Sequence, residues 1–244
     1  MSPVEARLYT LALSHPARAA QRMLQYKRIR HRLIYLLPGL HPGMLRFAGF
    51  RGATIPALEL GADKVQGSRS ISRALDSFRD QPRLFPEDPE HRASVEEAER
   101  WGEEDLQEAL RRIFRWTIAH QQPVRRWLGE LSGVPAPGLA GALNAPLARS
   151  FAKRSGADEA RVRDDIGRLP SMLDRVDRLI ESGVIGSDAP NAADFQIGSS
   201  VRVLMTFPQL RPLAEGRPAG EMALRLFRRY AEPIPAALPL ASAN

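Results

Sequence analysis

The chain has 244 residues, of which 43% are hydrophobic, and a formal net charge of +7; that is enough for one large or two small domains with a proper core. It has no cysteine, which excludes disulfides, thiolate metal sites and a cysteine nucleophile, and no apolar run approaches the ~18 residues that a membrane span needs. The positive charge is nearly all arginine, spread along the chain without a nucleic-acid motif, so it reads as arginine-rich solvated surface, with an anionic small-molecule ligand compatible and neither nucleic acid nor membrane expected as partner.

In chain order, Met1-Ser2-Pro3-Val4 lacks the apolar core of a signal peptide, which fits a cytoplasmic setting. Leu8 to Leu13 is apolar enough for a buried strand. Ser14-His15-Pro16 follows, with Ser14 at an N-cap position and proline just inside a helix start. Ala17 to Tyr26 reads as helix, with Ala20, Met23 and Leu24 on one face. Leu33 to Leu37 is a second strand, and a helical turn over His41 to Phe47 is expected. Ile55-Pro56 opens a third strand, Ala57 to Leu60; proline belongs at a strand's first residue, and X-Pro is a candidate cis bond. A turn at Gly61-Ala62-Asp63 leads to a fourth strand, Lys64 to Gln66. Gly67-Ser68 then starts a helix to Phe78, offering free backbone N–H groups and a hydroxyl to an anion. The order is β-α-β-α-β-β-α.

The character of the chain changes at residues 80–90, where three prolines and a cluster of charges mark a linker. Beyond it only helical patterns occur. Val95, Ala98, Trp101, Leu106, Leu110, Ile113, Phe114 and Thr117 keep a helical period for about seven turns. A Gly/Pro/Ala-rich break is expected from Gly133 to Pro146, then helix from Asp158 to Ser182 with an interruption at Pro170. Asn191 and Asp194 form a candidate capping box at the start of the most apolar helix. A last helix is expected over Ala219 to Tyr230, and an irregular Pro-rich tail after Glu232. Glu108/Arg112 and Asp174/Arg178 stand at i,i+4 and are candidate ion pairs. His41, His91 and His120 are scattered and suggest no metal site.

These segments resemble the cytosolic glutathione S-transferases. Ser14-His15-Pro16-Ala17-Arg18-Ala19-Ala20 is similar to the serine-type active-site segment of the theta and delta classes. Thr54-Ile55-Pro56-Ala57-Leu58 resembles the family's Val-Pro-Ala-Leu strand, and Gly67-Ser68-Arg69-Ser70-Ile71 its Glu-Ser-x-Ala-Ile turn. Asn191-Ala192-Ala193-Asp194-Phe195 resembles its Thr-x-Ala-Asp-Phe helix start. The resemblance implies an α+β chain. A thioredoxin-like, thiol-binding domain would cover residues 1–79, a linker 80–90 and an all-helical domain 91–244. It further implies a cytoplasmic homodimer that joins glutathione or another low-molecular-weight thiol to a hydrophobic electrophile, as in detoxification, without a metal.

Such chemistry needs a thiolate near neutral pH, whereas a free thiol has a pKa of about 8.5. A hydroxyl donated to sulfur at a helix N-terminus stabilises the thiolate, and Ser14 stands where both effects meet; the alternative is a plain N-cap. Tyr9 is a rival hydroxyl inside the strand. His15 could assist as a base or bind a carboxylate, or simply lie exposed near the cleft, and Arg18 could face either pocket or solvent. By resemblance, Ile55 and Pro56 present backbone groups to the thiol ligand, and Gly67 and Ser68 hold its γ-glutamyl carboxylate. The family's Glu or Gln before that serine is replaced by Gly67, and Gln66 lies one position early, where a strand side chain points to the other face. The acceptor would lie between Ser14 and the helix carrying Trp101 and Trp116. Gly67 also motivates a second reading, a non-catalytic binding or interaction module.

Overall fold

The computed structural model describes residues 6–230, 233–236 and 238–239. Its sheet has strand β1 (Ala6–Thr10) inside, paired in parallel with β2 (His31–Tyr35) and antiparallel with β3 (Ala57–Leu60). Strand β4 (Asp63–Gln66) closes the other edge, giving the order β2-β1-β3-β4. Alternation of side chains along the strands divides the core. Leu8 and Leu58, opposite each other in the register, join the main core with Met23, Ile71 and Leu75 of helices α1 (His15–Tyr26) and α3 (Ser68–Phe78). Tyr9 and Ala57 point to the opposite face, where Leu45 of α2 (His41–Phe47) covers them.

Strands β1 and β2 both begin and end about two residues earlier than the apolar runs suggest. Leu11 to Leu13 are apolar because they line a loop, not a ladder: Leu13 is buried at φ 65. The Ile55–Pro56 bond is cis, as the sequence suggests, and Gln81–Pro82 is cis as well. Residues 79–88 contain no helix or strand, yet they are no loose tether. Leu84 and Phe85 are fully buried, Leu84 N donates to Asp76 Oδ1 at 2.7 Å, and Ala192 N donates to Leu84 O at 2.9 Å.

The helical half starts at α4 (Pro89–Trp101), capped by Asp88, whose side chain accepts from His91 N at 2.8 Å. It passes through a π-helical segment, Gly102–Gln107, into α5 (Glu108–His120). The helical period had suggested an uninterrupted run. The five-residue interval from Trp101 to Leu106 is the trace of the π segment, since one extra residue must be accommodated before the core stripe resumes. Gly102 is needed there: a Cβ would lie 2.8 Å from Ile197 Cγ1 and 3.3 Å from Gln196 Cγ. We expect Gly102→Ala to cost about 1–3 kcal/mol by overpacking, measured by urea denaturation; an unchanged midpoint would show that the π segment moves freely.

Of the stretch read as a break, 133–136 is non-helical as expected, but most of the rest is helix. Helices α6 (Gln122–Leu131), α7 (Pro137–Leu143) and α8 (Ala145–Arg154) each carry a proline in their first turn. The prolines therefore start helices rather than end them. Helix α9 (Glu159–Glu181) runs through the exposed Pro170 as one element. Helix α10 (Ala192–Leu204) is buried along its whole length and packs on α1, α4 and α5 and on α11 (Pro218–Leu226). Its capping box is present, with Asn191 accepting from Asp194 N and Asp194 from Asn191 N. Helix α11 stops four residues before Tyr230. In the tail, 233–236 and 238–239 have no regular structure; Glu232, Ala231, Ala237 and 240–244 lie outside the described residues. No helix among the described residues is long and apolar enough to cross a membrane.

Candidate functional site

A cavity of about 420 Å3 opens between the sheet-bearing half and the α4–α5 run. One wall is Pro16, Thr54, Ile55, Pro56, Gly67 and Ser68; the other is Glu103, Glu104, Gln107, Glu108 and Arg111. The first wall is held together by its own backbone, since Gly67 N donates to Pro56 O at 2.9 Å. Gly67 has φ +91, a conformation that favours glycine. A Cβ there would meet nothing within 4 Å, so the backbone and not the space selects glycine. Gln66 turns away from the cavity, and its amide bonds Gly52 N, Gly52 O and Thr54 O, fixing the loop behind the cis bond.

Ser68 is not the N-cap of α3; Gly67 is. The Ser68 side chain is buried and its hydroxyl donates to Glu103 Oε1 at 3.0 Å. Arg69 lies 3.6 Å from Glu103 and 3.2 Å from Glu104, and Arg111 pairs with Glu108. The helical wall is therefore acidic, with its charge only partly offset. The wall belongs to the same helical run as Trp101 and Trp116, but the spacing does not single out its acids. It is made by the π segment, where an extra residue brings Glu103, Glu104 and Gln107 to the cavity side, and Gln196 Nε2 holds Gln107 Oε1 at 2.8 Å.

Ser14 is half-buried just before α1 and does not border this cavity; Pro16 does. Its hydroxyl makes no cap bond to the helix, although its carbonyl accepts from Arg18 N at 2.9 Å. The N-cap explanation for this serine is thus not the one the side chain follows. The buried Leu13, in a left-handed conformation that branched and bulky residues seldom adopt, fixes the turn that presents it.

Residues 8–83 match the glutathione S-transferase N-terminal domain family. The match is confined to the sheet-bearing part of the chain. Solved structures carry the fold over nearly the whole length. Glutathione transferase F7 from Populus trichocarpa is 19% identical, covers 92% of this chain and 94% of its own, and has a TM-score of 0.61. A glutathione S-transferase from Rhodospirillum rubrum is 16% identical, with 95% and 96% covered and a TM-score of 0.64. FzlA from C. crescentus is 16% identical, with 96% of each chain covered and a TM-score of 0.64. A search of curated proteins found no match.

Several side chains stand elsewhere than their spacing suggests. His15 is buried, not exposed. Burial above all, then the charges of Arg111 and Arg115, lowers its pKa to about 3, so the imidazole is neutral. Tyr9 turns to β3, its hydroxyl 3.3 Å from Glu59 Oε2 and its ring edge-on to Phe50. Burial and then Glu59 raise the pKa of its phenol. Arg18 bonds Gln21 on its own helix at 3.1 Å. Trp101 lies under the Arg175 guanidinium and Trp116 stacks on His120; both are core residues and neither borders the cavity. The expected pairs also differ. Arg112 makes two bonds to Asp165, at 2.6 and 2.7 Å, and Asp174 pairs with Arg217.

Proposed function

We propose that this chain binds a γ-glutamyl thiol, glutathione or a close relative, and transfers it to a hydrophobic electrophile. The observation that carries the reading is the wall formed by Ile55, the cis Pro56, Gly67 and Ser68, held as one unit by the Gly67–Pro56 bond. Ile55 N–H and C=O serve the central cysteinyl residue of such a ligand. The amides at the start of α3 suit its α-carboxylate. Glu103 and Glu104 face the same end and suit its α-ammonium, a role that the side chain replaced by Gly67 would otherwise share. The whole group recognised is then a zwitterion, which an acidic wall and a helix start match together.

The sulfur would be directed to the start of α1. There the Ser14 hydroxyl, uncommitted to the helix, donates to the thiolate, and the helix dipole favours the anion. The thiolate attacks the electrophilic carbon, a C–S bond forms, and the leaving group departs with its electron pair. A homodimer working in the cytoplasm, with detoxification as the outcome, belongs to the same proposal.

Millimolar glutathione is expected to raise the melting temperature, as any ligand of the folded state does. Ser14→Ala is expected to keep that shift and to lose about 10–100-fold in conjugation rate, the worth of one hydrogen bond to a charged atom at about 1.5–3 kcal/mol. Wild-type turnover in Ser14→Ala would refute the role of the serine. The place of Ser14 outside the cavity wall favours a second reading, a binding module without catalysis; it is the outcome if glutathione binds and no electrophile turns over. No shift with glutathione would refute the thiol site itself.

A further inference from the structure

The arginines are spread along the chain, but the acids that offset them are not. Residues 6–58 contain nine Lys and Arg and no Asp or Glu, and residues 131–157 contain three and again no acid. The two segments meet: Leu147 Cδ2 on α8 lies 3.6 Å from the Cβ position of Gly39 in the β2–α2 loop. Both also expose apolar side chains. Of the eleven large hydrophobic side chains exposed among the described residues, nine lie in these two segments. Leu139, Leu143, Leu147 and Phe151 recur at every fourth residue along α7 and α8, and Leu37 and Leu40 flank the Gly39 contact. Leu143 is 73% and Leu40 62% exposed, and neither belongs to a core. Arg149, Lys153 and Arg154 are exposed on the same α8, and the Arg115 guanidinium lies 5.0 Å over the Phe151 ring. The bordering acids turn elsewhere. Glu130 pairs with Arg126, Asp158 accepts from Arg161 N, and Glu59 pairs with Arg7.

We propose that this joint face docks on the surface of an anionic lipid bilayer, with α7 and α8 lying in the plane of the headgroups. Helices that bear Leu and Phe beside Lys and Arg suit that position. The apolar side chains enter the boundary of headgroups and acyl chains, while the cations meet anionic lipid. Charge complementarity selects the occupant, since the two segments carry cations alone. A second copy of this chain does not suit the face, because a two-fold contact sets the same cations against one another. Nucleic acid matches the charge but not the leucines, which offer neither a stacking plane nor a hydrogen bond. The docking is peripheral, as no helix among the described residues is long and apolar enough to cross. None of the six apolar side chains of the face borders the cavity at Ile55 and Ser68, so docking does not depend on the transferase reading.

The test is co-sedimentation of the full chain with vesicles of phosphatidylcholine alone and of phosphatidylcholine with about 30% phosphatidylglycerol. The mixed vesicles are expected to bind roughly tenfold more strongly, and about 0.5 M salt to remove most of that preference. Leu40→Ser with Leu143→Ser is expected to weaken binding to the mixed vesicles about tenfold and to leave the melting temperature unchanged. Lys153→Gln with Arg154→Gln is expected to weaken it similarly. Arg161→Gln with Arg168→Gln, which removes the same charge from the exposed side of α9, is expected to leave binding within about twofold. Equal binding to the two vesicles would overturn the proposal. So would an equal loss in the α9 pair, which marks net charge alone. Binding untouched by the two leucine substitutions would overturn it as well, and would return the face to a soluble polyanion such as nucleic acid.

Discussion

Asp76→Ala is expected to lower the unfolding free energy by about 3–5 kcal/mol, the usual cost of breaking a buried ion pair from one side. Lys27 is fully buried at the end of α1, with Nζ 2.6 Å from Asp76 Oδ1. Its other contacts are the carbonyls of Arg79 and Asp80, which carry no formal charge. Removing the carboxylate leaves an ammonium in the interior with dipoles alone to hold it. It also deprives the buried Leu84 of the acceptor for its amide. Two losses thus fall on one substitution, in the place where α1, α3 and the connecting strap meet. Lys27→Met combined with Asp76→Leu removes both charges and is expected to recover the part of the loss due to the stranded ammonium, while the cost of the unpaired Leu84 amide remains. Chemical denaturation of the three proteins decides the matter. A loss below about 1 kcal/mol in Asp76→Ala, within the range of a surface pair, would show that water reaches Lys27.

Asp194→Ala is expected to cost about 2–5 kcal/mol, again by chemical denaturation. The carboxylate accepts from Gly186 N at 2.7 Å and from Asn191 N at 2.9 Å. Each buried amide left without an acceptor costs about 1–3 kcal/mol. Burial, working against those two bonds, raises the pKa of this acid to about 6. The folded chain therefore holds this proton more tightly than the unfolded chain does. The contribution of Asp194 to stability is full below about pH 4 and is lost as pH rises through about 6. His15 has the opposite sign. Its folded pKa is lowered to about 3, so its contribution is present above about pH 6.5 and lost as pH falls towards 3. The wild-type profile between pH 4 and 6 sums two opposed slopes, and Asp194→Ala is expected to leave the one that rises with pH. A profile unchanged in shape by that substitution would place the carboxyl in water.

How far the sequence reveals this molecule depends on whether a feature is carried by local chemistry. Helix α3, strand β3 and the capping box at Asn191 lie where the sequence puts them, since turn glycines, alternation and cap residues act within a few positions. The strands β1 and β2 are displaced because an apolar run reports burial, and a buried loop has the same appearance as a buried strand. Helices α7 and α8 are hidden because proline breaks a helix inside and begins one outside, and composition does not say which. The cavity shows the same division. Ile55, Pro56, Gly67 and Ser68 come together because one short loop and one hairpin carry them. Glu103, Glu104 and Arg111 are far away in sequence and reach the same space only through packing of α4–α5 against α10. The hydroxyl of Ser68 is the sharpest case: its residue type and place predict a cap or a ligand contact, and its partner is an acid 35 positions away.

The π segment gives the long helix a phase as well as a shape. Each residue of an α-helix advances the surface by about 100°, so a one-residue deletion between Gly102 and Gln107 would do more than shorten the run. It would turn everything from Glu108 to His120 relative to α4, carrying Leu110 and Ile113 off the core and Glu108 and Arg111 off the cavity wall together. Core and binding face are thus locked to a single setting, in which the extra residue acts as the key.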